Sequence, residues 1–222
     1  MKSKTTQRIV IFAGILIVPA FFIFLFSKAS PKYSTIPYFG EHKITENDTV
    51  FYTVHGFQFD GIKGKLSEKD FEGKYLIVSI LFNTCPHNCN IPFEQFKYFF
   101  YNDLAKNKSK FDDVHLLSQV VGDSIIDLET MYNYLEIDKN RWTLAIGNEN
   151  AIYDVNLLKK NPWQTADTVN GFERGAYGLI LLLDKQRHIR GVYQCNRTSE
   201  FDRLEDELVL LKREDDKQWY KK

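Results

Sequence analysis

Hydrophobic and polar residues alternate along the chain in blocks that predict strands and helices. Runs rich in β-branched and aromatic residues predict buried strands at Lys74–Phe82, Val114–Val121, Trp142–Ile146, Tyr177–Leu183 and His188–Tyr193. Apolar residues at helical spacing predict helices at Ile91–Ala105, Ile125–Leu135, Asn148–Leu158 and Phe201–Arg213. Ahead of these elements, the pattern predicts a hairpin or strand pair at Thr49–Phe59, a turn at Gly61–Gly64 and a short capped segment at Ser67–Phe71.

The order of these elements predicts the fold class. Strand, helix, strand and helix, followed by a hairpin and a final helix, is the order of a thioredoxin-like fold. In this α/β fold a central mixed sheet, with a parallel and an antiparallel half, is flanked by helices. We therefore expect one thioredoxin-like domain over residues 49–214 and a polar C-terminal tail over residues 215–222.

The N-terminal region predicts a transmembrane helix and, with it, the compartment. Ile9–Phe26 carries no charge and approaches the roughly 20 residues that cross a bilayer. Lys and Arg residues precede this segment, so the positive-inside rule predicts that residues 1–8 stay in the cytoplasm. The chain after an anchor at residues 9–27 is then predicted to be exported. A cleaved signal peptide is the alternative, but the apolar segment exceeds the usual length of roughly 7 to 15 residues. We expect a single-pass inner-membrane protein whose domain stands on a stalk, residues 28–48, on the periplasmic side.

The charge composition argues against one class of partner. The chain has 29 Lys and Arg residues against 29 Asp and Glu residues, so its formal net charge is zero. Such a chain has no long-range field that would attract nucleic acid or another anionic surface. We therefore expect no nucleic-acid partner.

Cys85 and Cys89 carry the clearest chemical signal. They lie between the predicted strand Lys74–Phe82 and the predicted helix Ile91–Ala105, which places them at a helix N-terminus. Unpaired N–H groups and the positive end of the helix dipole favour the thiolate there, the form that attacks disulfides and binds metals. The i, i+4 spacing puts both sulfurs on one helical face with Cα atoms roughly 6 Å apart, which permits a disulfide.

A structural role is the alternative for these two thiols. Free cysteine is among the most buried residue types, and a small structural disulfide would also use the pair. A disulfide that closes so short a loop stabilises a fold little, which favours a functional role. In the predicted oxidising compartment, an isolated pair oxidises unless a reductant or a metal protects it, so its redox state becomes part of the function.

The chain resembles the Sco/SenC family from about Ile36 to Leu211. The most specific match is Phe82-Asn83-Thr84-Cys85-Pro86-His87-Asn88-Cys89, which follows a family motif of Phe, two residues and then Cys-Pro-x-x-Cys. Ordinary thioredoxins and disulfide isomerases place two residues between the cysteines, whereas this chain has three. The supporting matches are Phe57-x-Phe59, the strand end from Ser118 to Asp123, Trp142, Leu183-Asp184-Lys185 and Ile189-Arg190-Gly191-x-Tyr193.

The resemblance implies a role in copper handling. Sco/SenC proteins are exported, thioredoxin-like and handle copper for cytochrome oxidase assembly, and a membrane anchor is usual among them. Membership would make Cys85 and Cys89 the copper thiolates of this chain. It would also make the partner a membrane cytochrome oxidase subunit or another thiol or copper protein.

The chain departs from the family at the third copper ligand. Sco proteins complete the site with a histidine before the final hairpin, and that position falls on Ala176 in this chain. A second departure is Asn90, where the family commonly has proline after the second cysteine. Two thiolates suffice for Cu(I), whereas Cu(II) requires additional nitrogen or oxygen donors. We therefore expect Cu(I) to be the bound ion and Cu(II) binding to be weak or absent.

Cys195 is the candidate for a replacement ligand. If the two final strands pair about a turn centred near Gln186, Cys195 lies roughly across from Tyr177 and Ala176. A thiol there would stand in for the missing imidazole or resolve a disulfide. The alternative is that Cys195 replaces a glycine by drift and lies too far from Cys85 to act.

The remaining candidates are weaker. His87 lies between the cysteines but points away from the sulfur face, which favours an effect on the thiol pKa over ligation. His55 and His115 fall in strand-like runs and are more typical of packed residues. Asp123, which with Ser124 is predicted to open the helix at Ile125, fits a helix cap better than a site residue.

Two functions therefore stay open, and a degenerate binding module that only docks an oxidase is a third, weaker alternative. In the first, Cys85 and Cys89 carry Cu(I) to an oxidase subunit, as in a metallochaperone. In the second, the protein is an enzyme, a thiol-disulfide oxidoreductase in which Cys85 attacks and Cys89 resolves the mixed disulfide.

Overall fold

The computed structural model describes residues 15, 17–24, 35–40, 42–45, 49–82, 91–107, 109–121, 127–147, 168–169, 172–173, 179–195 and 197–219. The chain divides into two compact units, Met1–Ser34 and Thr35–Lys222. In the first unit, residues 15 and 17–24 are helical. Within the described residues, no helix combines the length and the apolar character that a membrane crossing requires. The predicted anchor at 9–27 extends beyond those residues and stays a prediction.

The described part of the second unit contains strands, helices and one 3₁₀ turn. Its strands are β1 (Lys43–Ile44), β2 (Thr49–Val50), β3 (Gln58–Gly61), β4 (Gly64–Ser67), β5 (Tyr75–Phe82), β6 (Val114–Val121), β7 (Trp142–Gly147), β8 (Thr168–Val169), β9 (Phe172–Glu173), β10 (Leu179–Leu183) and β11 (Ile189–Gln194). Its helices are α1, which runs through Ile91–Phe96, a π-helical turn at Lys97–Tyr101 and Asn102–Lys106, then α2 (Leu128–Leu135) and α3 (Thr198–Trp219). The 3₁₀ turn is Glu68–Phe71.

A seven-stranded mixed sheet organises this unit, with the strand order β11-β10-β5-β6-β7-β3-β4. Strands β5, β6 and β7 are parallel to one another, and β10, β11, β3 and β4 add to them in antiparallel pairs. The β5–β6 ladder runs in register from Tyr75–Val114 to Phe82–Val121. The predicted mixed sheet with a parallel and an antiparallel half is therefore confirmed.

The described helices α1, α2 and α3 pack on one face of the sheet. Ile77 and Leu81 of β5 belong to a buried cluster on that face, together with residues of each helix. The helix residues of the cluster are Phe96, Phe100, Tyr101 and Leu104 of α1, Leu128, Tyr132 and Leu135 of α2, and Phe201, Leu204, Leu208 and Leu211 of α3. Burial of such side chains is the main source of stability, and it holds the helices against the strands.

The segment before β5 covers the other face. Leu76 and Val78 of β5 point there and pack in a second cluster with Val54, Phe57 and Phe59. Because β5 is buried on both faces, it is apolar almost throughout rather than alternating, which is the pattern that made it recognisable in the sequence.

Part of the predicted stalk packs with the domain. Ile36 is buried in the helix-side cluster, whereas Phe39 packs against the second cluster. The Phe39 N–H donates to the Ile189 carbonyl over 2.9 Å. Residues 35–40 therefore pass around the outer edge of β11, although the sequence assigned them to a stalk at 28–48.

The β10–β11 hairpin contains a β-bulge that the sequence did not reveal. Leu183 pairs with Ile189 as the predicted turn requires, but Leu182 pairs with Gly191. Arg190 is thus an extra residue on β11. A bulge shifts every later pair by one position, so the register beyond it differs from the predicted one.

The side chain of Arg190 is buried in an ionic network at this bulge. Its Nη1 lies 3.4 Å from Asp184 Oδ2, and its Nη2 donates to Glu214 Oε2 over 2.9 Å. The same Nη2 donates to the Ile36 carbonyl over 2.8 Å, and the guanidinium lies 4.0 Å from the centre of the Tyr38 ring. These partners offset the hydration that the buried guanidinium loses. Since they come from residues 35–40, the hairpin and α3, the network joins these three segments.

Two predicted boundaries are wrong. Helix α2 begins at Leu128 instead of Ile125, because the Asp127 carboxylate accepts the N–H groups of Glu129 and Thr130 and caps the helix there. The N-terminal hairpin is β3–β4 around the predicted turn at Gly61–Gly64, while β2 pairs with β1 instead. Asp123 and the predicted helix Asn148–Leu158 lie outside the described residues.

His115 is a packed residue of the second face, as its strand position predicted. It is 5% exposed, its Nε2 lies 2.8 Å from Thr143 Oγ1 and its ring lies 5.2 Å from that of Phe71. Burial lowers the pKa of His115 to about 4, with nearby Lys74 adding to the effect.

His115 should therefore make stability depend on pH. The unfolded chain takes up a proton near pH 6.5 and the folded chain only near pH 4, so stability falls as pH drops through this window, by about 3 kcal/mol at most. Urea unfolding of the full chain at pH 7 and pH 4.5 measures the change. His115→Gln should flatten the profile, whereas the same substitution at exposed His55 should leave it as in the wild type. An unchanged slope in His115→Gln would contradict the assignment.

Candidate functional site

The candidate site lies at the end of the sheet where β5 and β6 finish. Phe82 is the last residue of β5 and pairs with Val121, the last residue of β6. Cys85 comes three residues after Phe82, and Cys89 comes two residues before Ile91, where α1 begins. Both cysteines lie outside the described residues, so their predicted role is not tested by the structure. The flanking elements are those that the sequence predicted, a buried strand before the thiols and a helix after them.

Aromatic packing fixes the helix that follows the thiols. The Phe96 ring stacks on Phe100 with a centroid separation of 5.3 Å and meets the edge of Trp142 at 5.4 Å. Both Phe96 and Phe100 are buried. The π-helical turn Lys97–Tyr101 lets both Phe100 and Tyr101 face the core, and such turns are frequent near functional sites.

A buried polar chain joins the strands that carry the site. Ser79 Oγ of β5 lies 2.6 Å from Ser118 Oγ of β6, and the Trp142 indole N–H donates to Ser118 Oγ over 2.9 Å. All three residues are essentially inaccessible to solvent. The contacts satisfy each polar group inside an apolar core and resist sliding of β5 against β6. The sequence analysis did not identify Ser79. The only indication of its role in the sequence is a hydroxyl side chain at a core position of an otherwise apolar strand.

Cys195 is buried in the helix-side core. It is a free thiol, 5% exposed, and it belongs to the same cluster as Phe96 and Phe201. Burial raises the pKa of Cys195 to about 12, so the thiol stays protonated at neutral pH. A metal ligand or an attacking nucleophile must be a thiolate, and this environment disfavours that form.

The bulge also changes the predicted partner of Cys195. Leu179 pairs with Gln194 and Ile180 with Tyr193, so an extension of the ladder would set Cys195 across from residue 178. The sequence placed it across from Tyr177 and Ala176. Because Arg190 occupies an extra position on β11, the described register differs by one residue from the predicted one, and the predicted position of Cys195 relative to residues 176 and 177, which lie outside the described ranges, stays a prediction. Ala176 itself lies outside the described residues.

The described histidines and acidic residues do not form a metal site. Within the ranges that the structure describes, no group of three or more His, Cys, Asp or Glu side chains is arranged to hold a metal ion. His188 Nδ1 lies 2.9 Å from Asp184 Oδ2 in the β10–β11 turn, at the end of the hairpin away from Leu179 and Gln194. His55 is exposed, and His87 lies outside the described residues.

Comparison with solved structures confirms the thioredoxin-like fold and the resemblance to Sco/SenC proteins. BsSco, a member of the Sco family of cytochrome c oxidase assembly proteins, matches with a TM-score of 0.52 and 16% identity over 72% of this chain and 93% of its own. A SCO1/SenC family lipoprotein from Bacillus anthracis matches with a TM-score of 0.51 and 20% identity over 72% of this chain and 95% of its own. No protein-family model and no curated protein matches the sequence. At these identities the likeness concerns the fold.

Burial of Cys195 predicts a chemically silent thiol in the folded protein. The chain has 3 cysteines, so the double variant Cys85→Ser/Cys89→Ser retains only this one. At pH 8 we expect iodoacetamide to modify Cys195 about 10³-fold more slowly in the folded variant than in urea, because the pKa near 12 leaves few thiolates. Mass spectrometry of timed samples measures both rates. Comparable rates would show that solvent reaches the thiol and would restore Cys195 as a candidate ligand.

Proposed function

We propose that this chain is a membrane-anchored, exported Sco-like protein that uses Cys85 and Cys89 to bind Cu(I) during assembly of a cytochrome oxidase copper site. The observation that carries the proposal is the connection from Phe82 to Ile91 in a sheet of Sco-like fold. This connection holds two thiols, and it leaves a strand end and enters a helix. The same arrangement, with three residues between the cysteines, is the most specific sequence match to the Sco/SenC motif.

The chemistry of the connection suits a soft, low-coordinate ion. A helix N-terminus favours thiolates. The sixteen residues Ile91–Lys106 form the continuous helix α1, and its N-terminus directly follows the cysteines in the sequence. Two thiolates are a sufficient ligand set for Cu(I). With Ala176 at the family's histidine position and Cys195 buried as a neutral thiol, we propose that the pair acts without a third protein ligand. Copper is then cargo that the protein receives and passes on.

Export and anchoring belong to the same proposal. The uncharged segment Ile9–Phe26 with cations before it supports a single-pass anchor in the cytoplasmic membrane. The domain would then lie on the periplasmic side of the membrane. The proposed role requires this location, because the protein would deliver copper to the oxidase there. The partner would be an oxidase subunit or another thiol or copper protein.

A thiol-disulfide oxidoreductase is the second candidate, and the absence of an imidazole at Ala176 favours it. In this reaction the Cys85 thiolate attacks a client disulfide, forms a mixed disulfide and releases one client thiolate. Cys89 then attacks Cys85, which releases the second client thiol and leaves a Cys85–Cys89 disulfide. The client gains the two electrons that the pair loses, so each turnover requires an external dithiol reductant. BsSco, one of the structural neighbours, has a disulfide switch, which supports redox chemistry on this fold.

Copper binding by the full chain tests the first proposal. We expect the reduced protein in detergent micelles to hold Cu(I) in competition with a chromogenic chelator, and to bind Cu(II) weakly. Cys85→Ser/Cys89→Ser should abolish Cu(I) retention because it removes both soft ligands. Cys195→Ser is the matched control and should retain the ion, provided that circular dichroism shows a folded chain.

An insulin-reduction assay on the same samples separates the two candidates. Cu(I) retention without reductase activity supports the metallochaperone, and reductase activity without Cu(I) retention supports the oxidoreductase. If the double serine variant binds Cu(I) as tightly as the wild type, Cys85 and Cys89 are not the ligands and the proposal fails.

A further inference from the structure

The side chain of Trp142 is linked to both elements that flank the thiol connection, residues 83–90. Trp142 is the first residue of β7, which pairs with β6 in parallel. Its side chain is fully buried in the cluster between the sheet and the helices. From this position it contacts α1 directly and reaches β5 through β6.

The link to β5 is a chain of hydrogen bonds. The Trp142 indole N–H donates to Ser118 Oγ over 2.9 Å, and Ser118 Oγ lies 2.6 Å from Ser79 Oγ. A buried indole N–H without an acceptor is costly in free energy, so this bond selects the orientation of the ring. Ser79 comes three residues before Phe82, which is about 10 Å along an extended strand.

The link to α1 is aromatic. The Phe96 and Trp142 rings meet edge to face, with an interplanar angle of 83° and a centroid separation of 5.4 Å. The Tyr101 ring lies 5.0 Å from the Trp142 ring. The energy of such contacts depends on the relative orientation of the rings as well as on the buried area. Phe96 is the sixth residue of α1, which places it about 8 Å from the start of the helix.

The two links constrain both ends of the thiol connection. Only eight residues separate Phe82 from Ile91, and each of these ends lies within about 10 Å of a residue in the Trp142 contacts. A shift of α1 relative to β5 would disturb the hydrogen-bond chain and the ring contacts together. The orientation of the indole therefore helps to fix the N-terminus of α1 relative to the end of β5.

We propose that Trp142 is a positioning residue that sets the reduction potential of the Cys85–Cys89 pair. The positive end of the helix dipole acts only within about the first turn, so a displaced α1 stabilises the thiolate form less. A pair whose reduced form is stabilised less is harder to reduce. The inference rests on the proposed function for the use of the two thiols, and Trp142 acts through the strand and the helix, since it is neither a ligand nor a nucleophile.

An equilibrium with glutathione tests the proposal. In the metal-free full chain in detergent micelles, two glutathione thiols reduce one Cys85–Cys89 disulfide and form one glutathione disulfide. After alkylation of the free thiols, mass spectrometry of the tryptic peptide 75–97, which holds both cysteines, gives the oxidised fraction. Trp142→Phe keeps an aromatic ring but removes the N–H, and Ser118→Ala removes its acceptor. We expect each substitution to lower the equilibrium constant for reduction about 3-fold.

Tyr132→Phe is the matched control, because it removes a hydrogen bond of the same buried cluster that does not join the flanks of the thiols. The Leu144 N–H of β7 donates to the Tyr132 hydroxyl of α2 over 2.6 Å. Urea unfolding should show comparable losses of stability in Tyr132→Phe and Ser118→Ala, since each leaves one buried N–H without its acceptor. Tyr132→Phe should nevertheless keep the wild-type equilibrium constant with glutathione.

Two further variants test whether these residues act as one unit. Trp142→Phe and Ser118→Ala break the same hydrogen bond, so the double variant should shift the constant no further than the more affected single variant. Ser79→Ala leaves that bond in place but cuts the step from β6 to β5, and it should shift the constant in the same direction. The proposal is overturned if folded Ser118→Ala and Ser79→Ala both keep the wild-type constant, if Tyr132→Phe shifts it as much, or if the wild-type pair does not exchange with glutathione.

Cu(I) retention and insulin reduction keep this inference distinct from the proposed function. A shifted constant in the Trp142 and Ser118 variants of a protein that neither retains Cu(I) nor reduces insulin would refute the proposed function alone. Copper retention or reductase activity together with unshifted constants would refute only the role of Trp142.

Discussion

The parallel pairing of β5 with β6 is the constraint on which the position of the candidate site depends. The two strands are in register from Tyr75–Val114 to Phe82–Val121 and are buried on both faces. A slip by one residue would turn apolar side chains toward the wrong layer, so the pairing is strongly specified. Because the strands end together, the connections that follow them leave from the same end of the sheet. One of these connections holds Cys85 and Cys89.

The hairpin β10–β11 adds a second constraint from the other side of β5. Its bulge at Arg190 turns a charged residue inward, where Asp184, Glu214 and the Ile36 carbonyl contact its two Nη groups, while its buried Nε has no hydrogen-bond partner within the described residues. Removal of one member would leave another charge buried without a partner. The free-energy cost of that unpaired charge exceeds the net stabilisation that the ion pair provides. The network thereby holds residues 35–40 against β11.

Burial determines the chemical behaviour of Cys195. Cys195 lies in a packed core that raises its pKa and excludes solvent, so its sulfur behaves as a small apolar group. Cys85 and Cys89 come after the end of a strand and before a helix in the sequence, and a helix N-terminus is a setting that favours the thiolate. The proposed copper and redox functions use the same pair, because both require a thiolate.

The sequence by itself determined the central strands, the helix after the cysteines and the order of elements, because continuous apolar runs and helical spacing reflect burial directly. It also located Cys85 and Cys89 between β5 and α1. Only the tertiary structure decided the bulge at Arg190, the burial of Cys195 and the packing of residues 35–40 on β11. These features depend on contacts between segments far apart in the chain, such as Arg190 with Ile36, and one extra residue in a strand leaves no mark on the hydrophobic pattern while it moves every later side chain to a new partner.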